Sequence, residues 1–113
     1  MAISYKNQGY TLDTTDMTTV LSINTSSVAI IKEISVTNDT ATSCTVDYLF
    51  HDASASTDYK FFNMDVAPNT FNNAVRNALV LEEGDFLKVQ AETADAISGQ
   101  ISYALLTRTG ENG

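Results

Sequence analysis

The chain has 113 residues, 43% of them hydrophobic and 18% charged, with a formal net charge of −8 and a pI near 4.2. That length holds one domain, large enough for a real core without staples, and the composition is globular, not disordered. The 6 basic residues are scattered, which argues against a nucleic-acid or anionic-membrane partner, and the longest apolar runs fall far short of the ~18–20 residues that cross a bilayer.

Thr, Val, Ile, Tyr and Phe dominate, and no window carries a sustained helical stripe. The N-terminus, from Met1 to Asn7, has no apolar segment of a secretory signal, so synthesis and residence in the cytoplasm are expected. Residues 1–16 read as an N-terminal segment in which Tyr10 and Leu12 open a candidate edge strand or arm. Residues 17–108 form the domain proper. Val20 to Ile23 is a short strand. Val28 to Val36 is a longer one that places Val28, Ile30, Ile34 and Val36 on one side, with a bulge at Lys32-Glu33 to absorb the break in pattern.

The clearest alternation runs from Thr42 to His51, with Cys44, Val46, Tyr48 and Phe50 on one face. Tyr59 to Val66, Leu79 to Leu81, Phe86 to Glu92 and Ile101 to Leu106 follow. Turn signals separate these runs: Asn24-Thr25-Ser26-Ser27, Asn38-Asp39-Thr40, Asp52-Ala53-Ser54-Ala55-Ser56, Ala67-Pro68-Asn69, Glu83-Gly84-Asp85 and Asp95-Ala96. About seven or eight short strands at ~8–12-residue spacing predict an all-β sandwich or barrel. With no helix-length segment between strands, the pairing is antiparallel. Residues 109–113 read as a flexible tail.

Little equipment for chemistry is present. The chain has one Cys and one His. Cys44 and His51 are an odd number of residues apart on one strand, so they face opposite sides of the sheet. That separates a Cys–His pair and leaves a Ser–His–Asp triad only His51 to use. Cys44 is expected in the core. Glu82-Glu83-Gly84-Asp85 is the densest acidic spot, but it lacks the spaced ladder of a calcium loop and reads as a tight turn, with Gly84 supplying the permissive backbone. No phosphate loop or dinucleotide fingerprint occurs. No cofactor, metal or catalytic residue is assigned.

The aromatic residues are the candidate contact set. Tyr59, Phe61 and Phe62 crowd one strand, and two neighbouring rings on a regular strand cannot both face the core. With Tyr5, Tyr10 and Phe71 they would form an exposed apolar patch of the kind that marks a partner surface; the alternative is a strand buried on both sides.

Three stretches together resemble a known group. Val28-Ala29-Ile30-Ile31-Lys32-Glu33-Ile34-Ser35-Val36-Thr37-Asn38, the corner Asp65-Val66-Ala67-Pro68-Asn69-Thr70 and the hairpin from Leu79 to Val89 are similar to segments of small all-β virion structural proteins of tailed phages, of the marine and cyanobacterial type. The similar region runs from Thr18 to Leu105. Before its first core strand this chain has Val20-Leu21-Ser22-Ile23-Asn24-Thr25 and lacks the group's Pro. The resemblance implies a single antiparallel β-sandwich, jelly-roll-like, and no enzymatic activity. Its implied role is a capsid decoration or cement subunit that stabilises the lattice of the major capsid protein, as a homo-oligomer, a trimer by preference, located in the virion after synthesis in the host cytoplasm. A tail, neck, baseplate or fibre-attachment protein is the alternative, and a carbohydrate-binding module using Tyr and Phe platforms is a second.

Overall fold

The computed structural model describes residues 2–75 and 78–108; the tail expected at residues 109–113 lies outside the described residues. Among the described residues there is no helix. The described residues form nine successive strands: β1 (Ala2–Leu12), β2 (Thr18–Ser22), β3 (Ser27–Asn38), β4 (Cys44–Asp52), β5 (Thr57–Val66), β6 (Thr70–Asn73), β7 (Leu79–Leu81), β8 (Phe86–Ala91) and β9 (Ile97–Thr107). Every pairing is antiparallel.

The strands form two sheets. Sheet A runs β1-β9-β3, with β6 and β7 both on the far side of β3; sheet B runs β2-β8-β4-β5. When β6 and β7 are taken as halves of one interrupted strand, this is a jelly roll, two Greek keys closed face to face. The fold is an all-β sandwich, as the alternation predicts. Nine strands replace the expected seven or eight because the segment opposite β3 is broken in two, and because β6 gives no alternation signal: all four of its residues are exposed.

The core is built from the inward residues of both sheets. Sheet B supplies Cys44, Val46, Tyr48, Leu87, Val89 and Ala91, all buried, as the period-two pattern predicts for β4 and β8. Sheet A supplies Leu12, Ala29, Ile31, Ile34, Val36, Ile97 and Ile101. A bulge falls where expected, the register of β3 against β9 shifting between Ile31 and Glu33. The phase before the bulge is the reverse of the expected one: Ala29 and Ile31 point inward, while Val28 and Ile30 are only partly buried and share the outer face. Both pairs are apolar, so periodicity alone could not choose. The register of β3 against β9 settles it, with Ala29 opposite Leu105 and Ile31 opposite Tyr103.

Turn chemistry closes the ends. Asn38 is fully buried; its Nδ2 donates to the Thr42 and Val66 carbonyls at 2.9 and 3.0 Å, and its Oδ1 accepts from the Thr40 N–H at 3.0 Å and hydroxyl at 2.7 Å. Every hydrogen-bonding position of the amide is used, which suits a buried Asn. At the opposite end Gly84 has φ 84°, the left-handed region glycine tolerates. Asp85 beside it is 3% exposed, and its carboxylate accepts from the N–H groups of Ala53 and Glu82, both at 2.9 Å. That one side chain ties the β4–β5 turn to the β7–β8 turn.

β1 is an integral strand, in unbroken register with β9 from Ala2↔Thr107 to Leu12↔Ile97. Only Tyr10 and Leu12 of β1 are buried; residues 2–9 are exposed on both faces. Sheet A therefore extends beyond the short β2 that faces it, and the molecule measures 53 × 27 × 23 Å. The inward residues of this overhang, Ser4, Lys6 and Gln8, are polar, in keeping with the absence of a facing layer.

Candidate interaction surface

The six aromatic residues singled out from the sequence do not gather into one patch. Tyr10 is in the core, 7% exposed. Its hydroxyl donates to the Ser35 carbonyl at 2.6 Å and accepts from the Tyr48 hydroxyl at 2.5 Å. Gly99, opposite Tyr10, leaves the space for this insertion: a Cβ there would overlap the Ser35 carbonyl oxygen and lie 2.8 Å from the Tyr10 hydroxyl. Burial pushes the Tyr10 hydroxyl up to about 12 and that of Tyr48 higher still. Tyr10 is a structural wedge that no partner can reach.

Phe61 and Phe62 are corrected as well. The register of β4 against β5 shifts between Tyr48 and Leu49, leaving Phe61 as the extra residue of a bulge. A bulge brings two successive side chains toward the same side. Phe61 and Phe62 accordingly both pack on the core, with centroids 6.4 and 6.0 Å from Tyr48. Tyr59 lies at the mouth of the sandwich, 46% exposed and 5.5 Å from Phe50. Tyr5 and Phe71 are the truly bare rings, 86% and 78% exposed. Both lie on the outer face of sheet A, opposite Ala104 and Thr37 respectively. Their rows cross β3 at Ile30 and Thr37, seven positions apart, which separates them by roughly 20 Å.

The outer face of sheet A carries what the sequence reading missed. In an antiparallel sheet, residues directly opposite share a face. One row across four strands is Tyr5, Ala104, Ile30, Val80; the next is Ile3, Leu106, Val28. Ile3 is 58% and Val80 51% exposed, and Val28, Ile30, Ala104 and Leu106 are half-buried. A shallow hollow of about 360 Å³ sits among Tyr5, Ile30, Lys32 and Ala104. β9 carries no charged side chain and β1 only Lys6. A chain with 14 acidic residues thus keeps its acids off the β1–β9 half of this face. The signal was present in the sequence as Val28 and Ile30, assigned to the wrong side.

The remaining polar groups serve the fold. Cys44 is fully buried on the inner face of β4. His51 lies on the outer face, stacked on Phe86 at 4.5 Å with Nδ1 2.7 Å from Asp58. The Lys88 ammonium, 2.8 Å away, and then His51 hold the Asp58 carboxyl below the usual range. Carboxylate oxygens of Asp52, Glu82 and Asp85 come within 4.8 Å of one another. Asp85 accepts two backbone N–H groups, and Asp52 accepts from the Ser54 N–H and hydroxyl at 3.1 and 2.7 Å. These carboxylates are turn elements.

No protein-family model matches the chain, and no curated protein matches it in sequence. Solved structures do. A protein of the Bacillus endospore appendages, which form disulfide-linked pili, superposes with a TM-score of 0.53 at 13% identity, over 92% of this chain and 84% of that one. The likeness is one of fold. Looser superpositions include infectious bursal disease virus, Gx strain (TM-score 0.45, 10% identity, 98% of this chain and 34% of that one), and the CBM22-1–GH10 modules of Clostridium thermocellum xylanase 10B (0.42, 11%, 83% and 18%).

Proposed function

We propose that the chain is a non-enzymatic structural subunit of an assembled particle, most specifically a decoration or cement protein on the capsid of a tailed phage. The observation that carries this reading is the pair of apolar rows on the outer face of sheet A, beside a β1–β9 region free of acidic groups in a chain of net charge −8. Contiguous exposed apolar surface on a rigid domain marks a protein partner. A sandwich whose His51 and Cys44 lie on opposite faces of one strand, with its turn carboxylates engaged in turns, suits a part that is built in and not one that turns over substrate. The sequence resemblance to phage virion proteins supplies the particle, and the major capsid protein is the partner. The pilus subunit that shares this fold belongs to disulfide-linked pili; here the single cysteine is buried, so assembly rests on apolar packing and backbone pairing.

Capsid shells lacking the chain provide the test. The purified protein co-sediments with them and raises their temperature of disruption, and Val80→Lys, at a half-exposed position, abolishes binding while the circular dichroism stays that of the native sheet. Binding that is indifferent to Val80→Lys and Ile30→Lys would remove this face from the account.

A further inference from the structure

We propose that β1 pairs edge to edge with β1 of a second copy, antiparallel about a two-fold axis at Ser4. A sheet edge is a row of unpaired N–H and C=O groups, and folded proteins guard such edges with short strands, bulges and charges. Three of the four edges here are guarded. β2 has 5 residues and a register shift between Thr19 and Leu21. β5 bulges at Phe61 and carries Asp58, Lys60 and Asp65. The edge beyond β3 is cut into β6 and β7, of 4 and 3 residues. β1 has 11 residues, no bulge, no Pro and a single charge. Because residues 2–9 are exposed on both faces, an added strand meets no obstruction from sheet B.

Charge identifies the occupant as another copy. Acidic chains repel one another over most of their surface. β1 and β9 carry no acid, so two copies meet here without a like-charge contact of carboxylates. The residues also fix a register. With Ser4 on the axis, Ile3 faces the partner's Tyr5, Tyr5 faces the partner's Ile3, and Lys6 faces the partner's Ala2. Centring on Tyr5 sets Ile3 against the partner's Asn7, and centring on Lys6 sets two ammonium groups together. Of these three registers, the one centred on Ser4 alone gives both Ile3 and Tyr5 an apolar partner on the outer face. The row Val80, Ile30, Ala104, Tyr5 then continues into the partner's Ile3. The contact is isologous, so it closes as a dimer.

The inference stands on the strand edge and not on the capsid reading, and the purified full chain suffices to test it. Sedimentation at about 100 µM, enough to populate a micromolar complex, is expected to give a dimer. Tyr5→Lys weakens the dimer by about 100-fold or more in Kd, whereas Phe71→Lys, an equally bare ring on the same sheet face, leaves it unchanged. Ser4→Cys forms an intermolecular disulfide on mild oxidation. Opposed Cα atoms across an antiparallel pair are about 4.5–5.5 Å apart, within the range a disulfide spans, and the buried Cys44 does not compete. A native chain that sediments as a monomer or a trimer, or a dimer that survives Tyr5→Lys, overturns the proposal and leaves the capsid-binding test standing.

Discussion

Replacing Gly99 with Ala places a methyl group where the carbonyl of Ser35 and the hydroxyl of Tyr10 already meet. The new Cβ overlaps the Ser35 oxygen, lies 2.8 Å from the Ser35 carbonyl carbon and 2.8 Å from the Tyr10 oxygen. Two of these three atoms belong to backbone in the centre of sheet A, where β3 and β9 are also joined by the Gln100 N–H donating to Ser35 Oγ at 2.8 Å. Overpacking a rigid core costs about 1–3 kcal/mol. Displacing Tyr10 also breaks its hydrogen bond to Ser35 and leaves buried polar groups unpaired, a further ~1–3 kcal/mol. A total of about 3 kcal/mol is a large share of the ~5–15 kcal/mol that holds a domain folded. With a urea slope near 1–1.5 kcal/mol per M, the midpoint falls by about 2–3 M. Gly9→Ala is the matched control: its Cβ meets only the Gly99 oxygen, at 3.9 Å, and the change stays within about 0.5 kcal/mol. Equilibrium urea unfolding followed by far-ultraviolet circular dichroism reads both. A Gly99→Ala midpoint within about 0.5 M of the native one would refute the reasoning that the wedge is tight.

The same pair of phenols predicts alkaline instability. Folded Tyr10 is raised to about 12, and Tyr48 is raised further, mainly by burial. The unfolded chain therefore releases these protons first; stability is intact below pH 10 and falls as pH climbs through 12. Urea midpoints from pH 7 to 12 check this, and Tyr10→Phe with Tyr48→Phe flattens the fall. Asp85→Ala strips the acceptor from the Ala53 and Glu82 N–H groups and destabilises by about 1–3 kcal/mol in the same assay. Glu83→Ala, which breaks only the exposed pair with Arg108, leaves the urea midpoint essentially where it was, because solvent screens such a pair. Cys44 stays unmodified by a thiol reagent in the native state and reacts fully in urea, since its side chain is buried.

Strand existence was legible wherever one face was polar. β4 and β8 alternate cleanly, and their inward residues are the ones buried. Bulges were legible only as breaks in pattern: Lys32 betrayed one, but the phase of Val28 against Ala29 depends on β9, seventy residues away in the chain and invisible to local periodicity. The adjacent rings Phe61 and Phe62 were a bulge signal read as an exposure signal. Tyr10 was grouped with the other aromatic residues as part of an exposed apolar patch. Its burial follows from two distant residues, Tyr48 and Gly99, and a glycine inside a β-branched strand was the one sequence hint that something approaches closely there. Strand order is a tertiary property, so the jelly roll came from resemblance and not from alternation.

The same lesson applies to the interaction surface. Aromatic residues draw attention, yet the face proposed here is made mostly of aliphatic side chains from strands far apart in sequence, Ile3 beside Leu106 and Ile30 beside Val80. Charge bias marks it as clearly as hydrophobicity does. The 14 acidic residues are numerous enough to reach most of the chain, and their absence from β1 and β9 leaves one half-face free of carboxylates.

The direct measurement is the copy number of this chain in purified phage particles, taken by quantitative mass spectrometry relative to the major capsid protein. A decoration subunit is present in a fixed ratio to the shell lattice, on the order of hundreds of copies under the shell's symmetry. About six or twelve copies would place it in the tail or neck instead, and particles that lack the chain would contradict the structural reading altogether.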